Sequence, residues 1–233
     1  YGRYFFHRSK QIKSILSKER KMGINSSFFL LTNPNFPLEK LNYFANEKYH
    51  QEIISLFLNS SINLQGSKES AESVHQLKLE QEKLDGFSAN GFRIRYLNAD
   101  YQKLFRLLEQ IHIKFDSSIG FDGIFGYRAG ISYPFQPYNI KENQPFNIIT
   151  VPVVISDRAF YNQNSYKKKM LLSQINLILK NAVKFGSHIN MNWHNHVFDQ
   201  IEFPFLNKRY WQILSFSKNN NAELLSTEDF SKF

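Results

Sequence analysis

The sequence predicts an α/β fold built around a parallel sheet. Segments with a strand pattern alternate with segments with a helix pattern along most of the chain, and this alternation is typical of parallel architectures, open or barrel-like. Residues 148–155 are β-branched along most of their length, as in a strand buried on both faces. The chain has 233 residues, 42% of them hydrophobic, and no cysteine, so a sizeable core is available without disulfides.

The elements of the first half follow in order. Residues 1–22 form a predicted helix, because apolar residues recur at helical spacing between Ile12 and Met22. Residues 26–31 form a predicted short strand that ends at an Asn-Pro-Asn turn. The next predicted elements are helix 37–49, strand 52–58, helix 67–84, strand 91–97, helix 100–112 and strand 114–119.

The second half starts with an irregular segment, 120–147, in which seven residues are glycine or proline. Loops of this length usually carry function or pack as ordered structure. In the β-branched run that follows, Pro152 predicts that strand pairing begins after it. The remaining predicted elements are helix 166–185, strand 187–193, helix 207–217 and strand 222–225.

The positive charge is concentrated near the first residues. Of the net charge of +9, residues 1–22 carry +6, with Glu19 as their single acidic residue. We therefore interpret 1–22 as a basic amphipathic helix that precedes a single domain, 23–233. Such a helix presents a solvated basic face or binds a polyanion, for example an acidic polysaccharide. Nucleic acid is disfavoured, because beyond residue 6 aromatic and basic residues do not interleave as a stacking platform requires.

The sequence lacks residue types and motifs on which several classes of chemistry depend. The lack of cysteine excludes thiolate zinc sites, iron–sulfur clusters and a cysteine nucleophile, although it leaves the compartment open. There is no phosphate-binding glycine-rich loop, nucleophile elbow or dinucleotide fingerprint. No apolar run approaches the roughly 18–20 residues of a membrane-spanning helix. Because the chain begins at Tyr1 without the features of a leader, we expect a fragment or a processed product.

Polar residues that could carry chemistry lie in or directly after predicted strands. His194 is the strongest candidate for proton transfer, since a histidine at a strand end can titrate near neutrality and Asp157 on a neighbouring strand could orient its ring. A structural histidine is the alternative. His196 would share the face of His194, but a metal would need a further ligand. Arg93 is costly to bury alone, so we expect a carboxylate or an anionic ligand beside it.

A set of motifs occurs in an order that is typical of one family. Residues 91–97, which include Gly-Phe-Arg-Ile-Arg, are followed by 115–121 and by 126–138, which contain Arg-Ala-Gly and a Pro-Phe pair. A β-branched run into Asp157 and the tripeptide Trp193-His194-Asn195 come later. In these features the chain, from about residue 23 to 230, resembles the polysaccharide deacetylases of carbohydrate esterase family four, which share the chitooligosaccharide deacetylase homology domain.

The resemblance implies a distorted (β/α) barrel, complete or lacking its first strand, that hydrolyses acetyl groups on carbohydrate. In that family a divalent metal such as zinc, held by an Asp and two His, polarises the acetyl carbonyl and activates a water. A second Asp acts as base, an Arg orients it, and a late His protonates the leaving group with help from another Asp. On this chain the orienting arginine matches Arg93, the tuning acid matches Asp157, and the late histidine matches His194.

The metal ligands of the family have no counterpart in the sequence. The Asp pair should lie near residues 28–29, but the only acidic residue up to that point is Glu19. Leu56 stands at one expected histidine, and Ser60 or Ser61 stands near the second. We therefore expect no metal site in the chain as it stands, and a divalent metal only if residues upstream restore the acids.

Three functions stay open at this point. The first is a polysaccharide deacetylase-like protein with weak or no hydrolysis. The second is a carbohydrate-binding pseudoenzyme whose candidate substrate-binding residues are Trp193, Tyr133, Tyr138 and Arg128; the aromatic rings would stack on sugar faces or simply pack. The third is a basic interaction domain that docks through residues 1–22.

Overall fold

The computed structural model describes residues 2–33, 51–52, 55–57, 60–84, 86–161 and 163–232. It confirms the predicted α/β fold with a parallel sheet. Five parallel strands pair in the order β1 (Ser27–Leu31), β2 (Ser61–Gly66), β3 (Gly91–Ile94), β4 (Phe115–Asp116) and β7 (Ile149–Thr150). A separate parallel pair consists of β8 (Val153–Ser156) and β9 (Asn190–Asn192), and a short hairpin consists of β5 (Tyr138–Asn139) and β6 (Gln144–Pro145).

The strands of the two parallel sheets follow each other in chain order. Gly120, just beyond β4, pairs with Val153 in a parallel bridge, so β8 continues the sheet beyond β4. The β-branched run is split into β7 and β8 around Pro152, which cannot donate a ladder hydrogen bond. The prediction that strand pairing begins after Pro152 was wrong, because β7 already pairs with β4 before it. Within the part of the chain that the structure describes, β9 does not pair with β1, so closure into a barrel stays a prediction.

The helices begin at residues that the sequence marks clearly. Ser73, Asp100 and Asn164 each accept a hydrogen bond from the backbone N–H three residues further on. None of the helices in the described ranges is long and apolar enough to cross a membrane. The helices are α1 (Gly2–Lys21), α2 (Val74–Glu82), α3 (Tyr101–Gln110), α4 (Ser165–Phe185), α5 (Pro204–Asn219) and α6 (Thr227–Phe230).

Helix α1 shares its core with the rest of the molecule. Ile15 packs in the cluster formed by α4, α5 and β8, and Leu16 packs against Ile62 of β2. The opposite face is solvated, since the basic side chains of Lys13 and Arg20 are exposed. This arrangement agrees with the amphipathic pattern, whereas the boundary between 1–22 and 23–233 stays a prediction.

Two predicted strands were wrong. The strand expected at 52–58 is not formed, because residues 51–52 and 55–57 are helical and the strand of this region is β2. The apolar residues of that segment bury against Ile62 from a helical backbone, whereas β2 alternates apolar residues with Asn63 and Gln65. Residues 222–225 are irregular and lead into α6. The helix predicted at 37–49 lies outside the described residues.

Helix α6 lies at the amino ends of the first three strands. The carboxylate of Glu228 accepts hydrogen bonds from Ser61 Oγ at 2.7 Å and from Asn90 Nδ2 at 3.0 Å. The backbone N–H of Glu228 donates to Ser27 Oγ at 3.3 Å. The opposite, carboxyl ends of the strands are therefore the ones left for a functional site.

Candidate functional site

A cavity of about 1830 Å³ lies between β1 and β9. All residues of these two strands line it, together with one side of α1. Among the predicted site residues, Arg93, Tyr133, Trp193 and His194 line the cavity, and so does His196. The structure thus brings Arg93, Trp193 and His194 to the carboxyl end of β9, whereas Tyr133 lines the cavity at the opposite end of this strand, beside Gly186 and His188.

His194 and Asp157 form a hydrogen-bonded pair at the carboxyl ends of β8 and β9. The register pairs Ser156 with Asn192, so the residues that follow these two strands are neighbours. His194 Nδ1 lies 2.7 Å from Asp157 Oδ1, and the backbone N–H of His194 donates to Asp157 Oδ2 at 3.2 Å. The side chain of Asp157 is fully buried, whereas that of His194 is 26% exposed. An ionised carboxylate only accepts hydrogen bonds, so it holds the His194 proton on Nδ1 and leaves Nε2 for a ligand.

Tyr161 extends this pair to a second histidine. Its hydroxyl donates to Asp157 Oδ2 at 3.0 Å and lies 2.8 Å from His196 Nε2. Burial raises the pKa of Tyr161, and the charge of Asp157 raises it further, so the hydroxyl keeps its single proton. Because that proton goes to Asp157, His196 Nε2 must donate to the tyrosine oxygen. Hydrogen bonding therefore links His196, Tyr161, Asp157 and His194.

Arg93 crosses the interior from β3 to β9. Its side chain donates to Ser117 O at 3.1 Å, to Ser117 Oγ at 2.8 Å and to Asn192 Oδ1 at 3.0 Å. The guanidinium carbon lies 4.0 Å from the centre of the Phe29 ring. Burial lowers the pKa of Arg93 to about 9, an effect that the negative charge of Asp116 partly offsets.

The predicted substrate-binding residues fall into two groups. Trp193 lines the cavity with its ring centre 5.8 Å from that of Tyr210, and Tyr133 lines it with its ring centre 4.3 Å from that of His188. Tyr138 lies in β5, and its hydroxyl donates to Asn143 at 2.7 Å. Arg128 donates to the carbonyls of two loops, those of Leu97 at 2.8 Å and Gly120 at 3.0 Å. Neither Tyr138 nor Arg128 is among the residues that line the cavity.

The described residues do not fit the metal that the resemblance implies. The side chains beyond or at the carboxyl ends of β1 and β2 are neutral, namely Thr32, Asn33, Gln65 and Ser67. Ser61 lies at the amino end of β2 and Leu56 lies in the preceding helical segment, so neither of these positions is at the carboxyl end of a described strand. Across the ranges that the structure covers, no three His, Asp or Glu side chains could hold a metal ion together.

A buried carboxylate that the sequence did not indicate lies near these strand ends. Glu80 of α2 is fully buried and accepts hydrogen bonds from four donors. These donors are Asn33 Nδ2 at 3.2 Å, Ser67 N at 3.0 Å, Ser67 Oγ at 2.5 Å and Gln76 Nε2 at 3.0 Å. With its oxygens engaged by N–H and O–H groups, Glu80 has the environment of a structural acceptor and not that of a metal ligand.

Sequence reasoning also missed Tyr161, Asn192 and Ser117. Tyr161 follows Asp157 by four residues, but this spacing alone does not distinguish it from other tyrosines. Asn192 could have been found from its position, because side chains alternate along a strand and it shares a face with His194. Ser117 gives no signal beyond its place after β4.

The fold and this site define a class of protein, namely α/β proteins with a parallel sheet and a His–Asp pair at the carboxyl ends of the strands. The resemblance seen in the sequence is matched by a structural likeness to a crystal structure described as a candidate polysaccharide deacetylase from Mycobacterium smegmatis. The TM-score is 0.59 over 97% of this chain and 76% of that chain, with 11% sequence identity, so the likeness shows the fold alone. No protein-family model and no curated protein matches the sequence.

Proposed function

We propose that this chain is a polysaccharide deacetylase-like domain that binds carbohydrate in its cavity and hydrolyses acetyl groups weakly or not at all. The observation that carries the proposal is the His194–Asp157 pair on the wall of a large cavity. A typical small-molecule site has a volume of roughly 300–1,000 Å³, and this cavity exceeds it, so several sugar rings fit. We further propose that β1 to β9 form a distorted barrel that is open between β1 and β9.

The chemistry that this pair supports is proton transfer. When His194 is protonated, Nε2 can give its proton to a leaving amine or alkoxide, and Asp157 stabilises the imidazolium from the other side of the ring. Such a group contributes about 10²–10⁴-fold to a reaction rate. The hydrolysis also needs an activated water, and the described residues offer no fitting metal ligands for that step.

Aromatic side chains support carbohydrate as the ligand. Trp193 and Tyr133 both line the cavity, and the flat faces of such rings suit the apolar faces of pyranose rings. We propose these two as the sugar-stacking residues. Tyr138 and Arg128 remain predictions for the same role, and any sugar that reaches them must extend beyond the cavity.

The proposal is tested with purified protein and two acetylated substrates, an N-acetylated chitooligosaccharide and acetylated xylan. We expect saturable binding by calorimetry and acetate release near background, with or without added zinc or cobalt. His194→Ala should abolish any residual release while binding persists, and His75→Ala, an exposed residue of α2, is the matched control. Absence of saturable binding, or fast metal-dependent release, would contradict the proposal.

A second candidate function is binding of a polyanion by α1. The observation in its favour is the exposure of Lys10, Lys13, Lys18, Arg20 and Lys21 on a helix whose other face is buried. Deleting 1–22 would remove Ile15 and Leu16 from the core, so charge substitutions are the sharper test.

In that test Lys13, Arg20 and Lys21 are replaced together by Gln, and retention on immobilised heparin is measured against salt. Under this candidate function the variant elutes at clearly lower salt than the native chain. The matched control replaces Lys167, Lys168 and Lys169 of α4, which are also exposed. An equal loss of retention for both variants would show that retention depends on the net charge of the chain and not on a binding surface of α1.

A further inference from the structure

We propose that Arg93 binds the carboxylate of an acidic sugar, so that the ligand of the cavity is a uronic acid-containing glycan. The inference rests on the proposed function, because it takes the cavity to be a carbohydrate site. It adds the chemical class of the ligand and the residue that selects it.

Arg93 is buried, but the described residues use only part of its hydrogen-bonding capacity. The residue is only 6% exposed, and its three hydrogen bonds go to a backbone carbonyl, a hydroxyl and an amide oxygen. A guanidinium has five N–H donors, so two of them have no acceptor among the described residues. The buried carboxylate of Asp116 offsets the cost of burying this cation only in part, because it forms no ion pair with Arg93 within the described residues and burial raises its own pKa to about 7. An anion that enters the cavity would offset this cost.

Three of the side chains that line the cavity are carboxylates. Glu19, Glu202 and Glu223 line it, and in the described part of the chain none of them forms an ion pair with Arg93. Glu19 is hydrogen-bonded by Ser26 Oγ at 2.9 Å and by the Tyr210 hydroxyl. Among the described residues, the hydrogen bonds of Arg93 therefore go to neutral acceptors only, and no carboxylate that lines the cavity is paired with it.

Arg93 is hydrogen-bonded to the strand that leads to His194. Asn192 accepts from Arg93 and lies two residues before His194, on the same face of the strand. Two residues of extended chain span about 7 Å, which is roughly the width of one sugar ring. Contact with the Phe29 ring fixes the plane of the guanidinium. A carboxylate on Arg93 would therefore place an adjacent sugar within reach of His194.

The lowered pKa of Arg93, to about 9, agrees with this account, because it reports a cation that burial disfavours. A bound carboxylate would favour the charged form and form charge-assisted hydrogen bonds with the guanidinium. Such bonds correspond to about a 10- to 100-fold gain in affinity over an uncharged analogue of the same shape.

The experiment compares trigalacturonic acid and triglucuronic acid with their methyl esters, which keep the sugar chain and remove the charge. Binding to the native chain is measured by calorimetry at several salt concentrations. We expect each acid to bind at least about 10-fold more tightly than its ester. Equal affinities for acid and ester would overturn the inference, and so would binding of neither. The chitooligosaccharide and xylan measurements decide separately whether the cavity binds carbohydrate.

The variant Asn192→Asp adds a readout that needs no ligand, namely the melting temperature, to the comparison of acid with ester. It places a carboxylate of the chain itself 3.0 Å from Arg93, in a side chain of nearly the same size. We expect a higher melting temperature and loss of the preference for acid over ester. Asn195→Asp adds the same charge to the same cavity without contacting Arg93, and should keep most of the preference. A variant Asn192→Asp that melts higher yet keeps the full preference would show that Arg93 is only structural.

Discussion

Two carboxylates, Glu80 and Asp157, are fully buried near the carboxyl ends of parallel strands, and they serve different purposes. Glu80 accepts from a backbone N–H and three neutral side chains, which fasten α2 to β1 and β2. Asp157 accepts from a backbone N–H, a tyrosine and a histidine ring that reaches the cavity. The comparison teaches that burial of an acid is not by itself a sign of chemistry. What matters is whether one of its hydrogen-bond donors reaches a cavity where a ligand can bind.

The largest effect is expected from Glu80→Ala. The change leaves four buried or half-buried donors without an acceptor, which should lower the free energy of unfolding by about 3–5 kcal/mol. Urea unfolding followed by circular dichroism measures this loss. Glu82→Ala, an exposed neighbour in the same helix, should change stability by less than about 0.5 kcal/mol. If the two variants were equally stable, Glu80 would not be needed to hold α2 against β1 and β2.

For Asp157→Asn we expect a smaller decrease in the free energy of unfolding, about 1–3 kcal/mol. The amide keeps the size of the side chain, but it can no longer accept from both His194 groups and Tyr161 at once. We expect the His194 ring to lose its fixed Nδ1–H tautomer, which nitrogen-15 NMR of the imidazole reports. An unchanged tautomer would mean that Asp157 resembles Glu80 and only holds the fold.

Asp116 is a third buried carboxylate. It has few hydrogen-bond donors, and its burial makes the stability of the fold depend on pH. Its donors are the N–H and hydroxyl of Ser118, and burial raises its pKa to about 7 despite these hydrogen bonds and the charge of Arg93. The unfolded chain releases this proton near pH 4, so the folded state binds more protons between about pH 4 and 7 and loses stability as the pH rises. Asp116→Asn removes this term.

The measurement for Asp116→Asn is urea unfolding at pH 5 and pH 8. The stability of the variant relative to the native chain should improve by about 1 kcal/mol or more from the lower to the higher pH. Stability curves that run parallel across this range would show that Asp116 does not titrate between these values.

The smallest effect is expected from Tyr161→Phe. Asp157 then keeps two of its three donors, and His196 loses one partner, at a cost of about 1 kcal/mol. Tyr166→Phe, at a site that is 73% exposed, is the control and should be neutral. A loss that matches Asp157→Asn would mean that the tyrosine, not the histidine, dominates the environment of Asp157.

The order of strands and helices could largely be predicted from hydrophobic periodicity and capping residues. The prediction failed at β2, because that strand carries Asn63 and Gln65 between its apolar residues while a more apolar segment precedes it in helical form. A rule that equates a continuous apolar run with a buried strand selects the wrong segment when one face of the true strand borders a polar interior.

The site was predicted in part. His194 and Asp157 could be paired because residues that follow adjacent parallel strands must be neighbours, and the register confirms that they are. Glu80 could not be found, since a carboxylate in a polar helix gives no sign that four donors surround it. Ser117 could not be found either, because its contact with Arg93 joins residues far apart in sequence.

The hydrogen bonds of Glu228 have a consequence for synthesis of the chain. Ser61 and Asn90 precede their partner by 167 and 138 residues, so a ribosome must translate all of these intervening residues before either group is satisfied. At about 5–20 residues per second this leaves the early strands waiting for roughly 7–30 s. During that interval the polar side chains at the amino ends of these strands lack the acceptor that α6 supplies, so the partly folded chain is open to association with other nascent chains.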